Sequence, residues 1–421
     1  MRSHLEWLFR ITLLAVLLAS MVLWGRGRAI YFLGSDDLIL LGRSRDVVSG
    51  NWHRLFEAQG PHVIPLFSLV RMYFDLHFPD RYDWMHYVVM AAHLTSTALV
   101  FALSKRYLEK EAALCAATLF TWQGLGGEAM FIRSQTTFVL SLPFLLGALH
   151  CISRPCAAPT YRWAVGCLVY LLIAVGLHSL AAAAAIPGIL LGYYLLGRTG
   201  PRNHATDRLA WAACTVPFLL AWAVWLHWGL PSLSEIESGE VRFIKDQFVA
   251  RLRNAVYGTA LLFAYMVRRL QPTPPVLLAA VVGLIALLLL LRNQPAWRWI
   301  VSALSLTTGP ALLAFLLRTS WSFSNSRYAY QSFLAVAVTA GGALNLVLVA
   351  TRRWPIVRTG ALAILFAVAA PFYYRSQHVR LDQTVAQLVH WHRRRACAKT
   401  TGSAGGASLS RFRRLGPQRP G

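Results

Sequence analysis

Apolar runs of membrane-crossing length recur along this chain, and that recurrence constrains its fold more than any motif. They lie near Leu5–Trp24, Tyr87–Leu103, Ala112–Trp122, Phe138–Ile152, Trp163–Leu177, Leu180–Leu196, Leu209–Trp228, Ala255–Val267, Val276–Leu291, Trp299–Leu317, Tyr328–Ala350 and Ile356–Tyr374. A helix needs about 20 apolar residues to cross some 30 Å of hydrocarbon, so an all-α polytopic membrane protein of about 11–12 transmembrane helices is expected. Ala255–Val267 is short and could be re-entrant or interfacial. Only 14% of residues are charged and 56% are hydrophobic. Soluble domains carry about 25% charge, which excludes a soluble globular enzyme, and the apolar content excludes a disordered chain. No 20–50-residue repeat is evident, so solenoids are excluded too.

Arg26 and Arg28, with no small-x-small cleavage site, follow the first run and mark it as an uncleaved anchor. The chain carries 41 basic against 17 acidic residues, a formal net charge of +24. The arginines cluster at run ends and in the tail, where headgroup anchoring and topology control account for them, so nucleic acid is not an expected partner. Anionic membrane lipids are, for example on His392-Arg393-Arg394-Arg395. The cysteines make no C-x-x-C pair, and neither a disulfide framework nor a metal knuckle follows. Basic loops at Lys105–Lys110 and Arg198–Arg208 read as cytoplasmic. Residues 31–86 then form a first outer loop, with Gly124–Ala129 and Pro231–Asn254 on the same side. The division is a membrane domain over 1–374 and a basic, partly disordered tail over 375–421.

Four groups of residues could carry chemistry. Asp36 and Asp37 follow the first run. Carboxylates beside hydrocarbon are costly, and a pair suits a general base or a hard divalent ion such as magnesium or manganese. Capping a helix that starts at Leu38 is the other reading. His62 belongs to an aromatic and histidine-rich stretch, Trp52 to Phe67, that reads as short amphipathic helices on the membrane surface. Glu128 lies in an outer turn five residues before Arg133, and the two could form an ion pair or face a shared polar cavity. Arg327, Tyr328 and Tyr330 open a late run, where they could bind a phosphate or anchor at the interface.

The order of these features resembles the GT-C superfamily of polytopic glycosyltransferases, in particular the protein O-mannosyltransferase-like branch. An Asp-Asp pair follows the first span, then come His62-x-x-Pro65-Leu66, the turn with Glu128-Ala129, and Arg327-Tyr328-x-Tyr330. The step Gly176-Leu177-His178-Ser179 fits as well, although the acidic residue that branch often has there is missing. The resemblance implies a polyprenyl-phosphate-linked sugar donor used at the outer face of a membrane, with Asp36 or Asp37 as base or metal-linked acceptor orienter. Glu128 would be a second acidic position. Arg327 would lie near the lipid phosphate, with Tyr328, Tyr330, His62 and Arg133 among the substrate-binding residues. A flippase for lipid-linked saccharides would place charges deep in several spans and show pseudo-symmetry. A catalytically silent assembly subunit is the other alternative. Arginine dominates over lysine, which occurs at 105, 110, 245 and 399, and this points to a GC-rich bacterial genome and an inner (plasma) membrane.

Overall fold

The computed structural model describes residues 2–25, 35–57, 63–78, 83–123, 130, 136–153, 161–196, 204–229, 274–317, 327–354, 356, 371 and 374–375. These residues are helical or form the turns between helices. In chain order the helices are α1 (Arg2–Gly25), α2 (Ser35–Val48), a 3-10 turn (Trp52–Leu55), α3 (Pro65–His77), α4 (Asp83–Ser104) and α5 (Lys110–Thr121). Then follow α6 (Thr137–Ile152), α7 (Tyr161–Leu177), α8 (Ser179–Leu196), α9 (His204–Val224, running into a π turn at Trp225–Gly229), α10 (Pro274–Leu291), α11 (Pro295–Leu317) and α12 (Arg327–Ala350).

Three of these stretches, Trp84–Ser104, His204–Trp228 and Tyr330–Ala350, are long and apolar enough to cross a membrane. Phe9–Gly25, Thr137–Ile152, Tyr161–Leu177, Ala181–Leu196 and Val281–Leu291 are shorter apolar helices. Many large apolar side chains face outward, among them Leu14 and Leu18 on α1, Leu219 and Leu220 on α9, and Leu278 and Leu289 on α10. Apolar surface on that scale is unusual for a protein in water. The expected runs at Ala255–Val267 and Ile356–Tyr374 lie largely outside the described residues.

Local sequence explains several helix ends. Pro65, Pro274 and Pro295 each occupy the first helical position, where the missing N–H costs nothing. Helix α2 ends in a Schellman motif: Gly50 has φ +101° and donates to the Val47 carbonyl, while Asn51 donates to that of Asp46 (both 3.0 Å). Helices α7 and α8 are parted by His178 alone, whose Nδ1 accepts from the Ala181 backbone N–H at 3.1 Å and so caps α8. Pro143, Pro187 and Pro217 sit inside helices, as is tolerated where neighbouring helices compensate.

Small residues set the closest helix approach. Ala181, Ala182, Ala183 and Ala185 on α8 are buried, and α8 packs extensively on α11. A Cβ on Gly188 would lie 2.6 Å from the backbone of Ser305 and Leu306, so only glycine permits this backbone-on-backbone contact. Gly188→Ala is expected to destabilise the purified chain by about 1–3 kcal/mol, read as a lower thermal midpoint in detergent. Gly283→Ala is the control, because a Cβ there meets nothing within 4 Å, and its midpoint should not fall.

Side-chain pins define the two ends of the bundle. At one end Trp299 Nε1 donates to Ser104 Oγ (2.9 Å), the Glu109 N–H donates to Asn345 Oδ1 (2.7 Å), and Asn345 Nδ2 donates to Gln294 Oε1 (3.2 Å). This end gathers the last turn of α4, the starts of α5 and α11 and the last third of α12, together with the basic loop Lys105–Lys110. The opposite end collects the close of α1, the close of α5 and the start of α12.

Candidate active site

The end of the bundle opposite the basic loop is built around a buried polar column. His93 of α4 hydrogen-bonds Tyr330 of α12 through Nδ1 (2.8 Å) and the Thr121 carbonyl of α5 through Nε2 (3.0 Å). A carbonyl can only accept, so Nε2 carries the proton. With Nε2–H on the carbonyl, Nδ1 accepts the tyrosine O–H. Thr121 Oγ1 donates to Ser20 Oγ of α1 (2.8 Å), and Trp24 Nε1 donates to the Thr121 carbonyl (3.0 Å). His86 joins through the Trp24 carbonyl (3.0 Å) and the Met130 backbone. The closes of α1 and α5 and the start of α12 are thereby tied to the middle of α4, and α12 is held in one register.

Around this column lie polar atoms with open valences. Both amide atoms of Gln123, Oε1 of Gln331 and Oγ of Ser179 are buried without a hydrogen-bond partner among the described residues. Each such group costs about 1–3 kcal/mol if left unmet. Gln331 uses its Nε2 on the Phe138 carbonyl (3.3 Å) and Ser141 Oγ (3.2 Å), which ties α12 to α6. Ser179 N–H meets the Val63 carbonyl at 3.4 Å, and the His178 ring lies 4.4 Å from that of Phe138.

The Val63 contact also seats the segment of α2, the 3-10 turn and α3 at this end. That segment is held by ion pairs. Arg43 donates to the Glu57 carbonyl (2.7 Å) and approaches its carboxylate (3.7 Å); Arg54 pairs with Asp46 (3.4 Å) and with Glu57. Burial lowers the Arg43 pKa, and the Glu57 charge opposes that shift. On α3 the pair Arg71–Asp75 (3.3 Å) is almost fully buried. Phe67 and Leu40 close the core beneath it.

The residues singled out in the sequence fall as follows. Asp36 and Asp37 are the second and third residues of α2, in the first turn, where negative charge complements the helix dipole. Arg327 and Tyr328 open α12, one turn before Tyr330, and their side chains lie outside the described set. Tyr330 itself is fully buried, with its hydroxyl on His93. His62, Glu128 and Arg133 lie outside the described residues. Their described neighbours Val63, Gln123, Met130 and Thr136 are at this same end. His93, Gln123 and Gln331 were not singled out in the sequence. A histidine or glutamine inside an apolar run is the one trace such residues leave.

Among the described residues no group of three or more His, Cys, Asp or Glu side chains is placed to hold a metal ion.

No protein-family model matches the chain, and no curated protein matches it in sequence. Among solved structures it is similar to the crystal structure of ArnT from Cupriavidus metallidurans bound to undecaprenyl phosphate. The identity is 15%, the match covers 92% of this chain and 71% of that one, and the TM-score is 0.47.

Proposed function

We propose that this chain is a GT-C-like polytopic membrane glycosyltransferase that moves a sugar from a polyprenyl-phosphate-linked donor to an acceptor at the outer membrane face. One observation carries the reading: α12, headed by Arg327 and Tyr328, begins at the end of the bundle where α1 closes and α2–α3 pack, opposite Lys105–Lys110. The reading assigns a cation for a departing phosphate and the carboxylates of α2 to one face. The same geometry favours an odd count of about eleven crossings before the tail, with Lys105–Lys110 inside.

In the proposed reaction an acceptor hydroxyl oxygen bonds to the anomeric carbon of the sugar as the bond from that carbon to the phosphate oxygen breaks. Asp36 or Asp37 takes the hydroxyl proton. The leaving polyprenyl phosphate keeps the bonding electron pair, and Arg327 stabilises the charge that builds on it. Glu128, His62 and Arg133 are assigned to the surrounding site, and Tyr328 to the phosphate. Tyr330 fixes the register of α12 through His93. Asp36 and Asp37 also offer the hard oxygens that magnesium or manganese takes; such an ion would add positive charge opposite the phosphate.

The sidedness is directly testable. A cysteine placed at Ser326 should react with a membrane-impermeant thiol reagent in intact cells. Reaction only after permeabilisation would put Arg327 on the cytoplasmic side and remove it from the site. Arg327→Gln should lower sugar transfer by about 10²–10³-fold, the scale of losing one oxyanion-stabilising group.

A further inference from the structure

A cavity of about 1070 Å³ lies between α3, α4, α6 and α7, slightly above the usual range for small-molecule pockets. Its walls are apolar for most of their length, with Val88, Leu99, Leu140, Phe144 and Ile173 among them. The two ends differ in chemistry. Beside the α7–α8 turn the lining is Leu66, Val70 and Leu177, with no cation. At the end nearer Lys105–Lys110 it is His150, Arg162 and Trp163.

That second end is built for an anion. Arg106 lies 3.1 Å from the His150 ring nitrogens and donates to Ser153 Oγ at 3.3 Å. Arg162 opens α7 from the other side of the cavity and is exposed. Trp163, which lines the same end, is 7% exposed, and its Nε1 has no hydrogen-bond partner among the described residues. Among the described residues no Asp or Glu lines the cavity. Arg162 on the wall, Arg106 held against the lining His150, and an indole N–H with no partner among the described residues call for a ligand with an anionic head and a hydrocarbon body. The cationic end fixes the direction of that ligand, head toward the basic loop and chain toward α3.

We infer that this cavity binds an anionic glycerophospholipid, its phosphate between Arg106 and Arg162 and its acyl chains along α4, α6 and α7. Trp163 Nε1 donates to the phosphate or ester oxygens. Basic pockets between helices at the cytoplasmic surface take such headgroups. The site lies at the opposite end of the bundle from the proposed sugar-transfer site and rests on none of its residues.

The full-length chain, purified in detergent and stripped of lipid, would be titrated with dioleoylphosphatidylglycerol, dioleoylphosphatidylcholine or dioleoylglycerol and read by native mass spectrometry. Phosphatidylglycerol should bind at least about tenfold more tightly than the other two, given charge-assisted hydrogen bonds of about 1.5–3 kcal/mol. The double variant Arg106→Gln with Arg162→Gln should erase that preference. Ala91→Trp, which fills the cavity from an exposed position on α4, should lower binding of all three lipids. Trp163→Phe should weaken phosphatidylglycerol selectively. Added glycerol phosphate should displace nothing. The inference is overturned by equal retention of the three lipids, by a double variant that keeps the preference, by displacement with glycerol phosphate, or by an Ala91→Trp variant that binds like the parent. Gel filtration reads the folding of every variant, and if Ala91→Trp aggregates it is replaced by Thr95→Trp, also exposed and on the cavity wall.

Discussion

Replacing both carboxylates at the start of α2, Asp36→Asn with Asp37→Asn, should reduce sugar transfer by about 10²–10⁴-fold, the range for loss of a general base. Asparagine has nearly the shape of aspartate, and the helix-dipole contribution of a first-turn carboxylate is only about 0.3–1 kcal/mol. The amount of protein in the membrane should therefore be unchanged. Initial rates normalised to protein amount separate the two roles that these residues can have. A base shows as lost turnover at constant abundance. A helix-dipole role shows as full turnover with a slightly lower thermal midpoint. The single variants then report which carboxylate takes the proton.

The second large effect is on stability. Asp75→Asn removes one carboxylate that pairs with Arg71, whose side chain is 2% exposed, while that of Asp75 is 4% exposed. Breaking a buried pair from one side leaves an uncompensated charge and costs about 3–5 kcal/mol. The thermal midpoint of the purified chain should fall well beyond that of Gly188→Ala. Arg71→Met combined with Asp75→Leu should recover most of the loss, because an apolar pair of similar volume has no buried charge to solvate. Recovery by the double variant separates the electrostatic cost from a packing defect around Phe67 and Leu40.

The elements that depend on local patterning could be read in the sequence. The apolar runs around α4, α6, α7, α8, α9 and α12 were visible because a helix in hydrocarbon must be apolar on nearly all faces. Segment ends followed in part, since Pro65, Pro274 and Pro295 mark first helical turns. What could not be read is which runs touch. His93 and Tyr330 are 237 residues apart, and neither stands in a pattern that names a partner. The contact of α8 with α11 turns on the single missing Cβ of Gly188. The face on which Arg327 lies was undecidable by counting runs, because Ala255–Val267 is too short to count securely. The His93–Tyr330 bond ties the fourth residue of α12 to the middle of α4. The role of Asp36 and Asp37 has a different limit. The helix begins at Ser35 and not at Leu38, so neither residue is its N-cap; a first-turn carboxylate that complements the helix dipole is the structural role left beside the proposed catalytic one.

The central claim is transfer of a sugar from a polyprenyl phosphate. Membranes from cells with and without this chain would be incubated with polyprenyl-phosphate-linked sugars labelled in the hexose or pentose, and the free polyprenyl phosphate released would be measured alongside label in the acceptor fraction. Both should appear together, only when the chain is present, and both should disappear in Asp36→Asn with Asp37→Asn. Release that is the same with and without the chain for every donor, or that persists in the double variant, would contradict it.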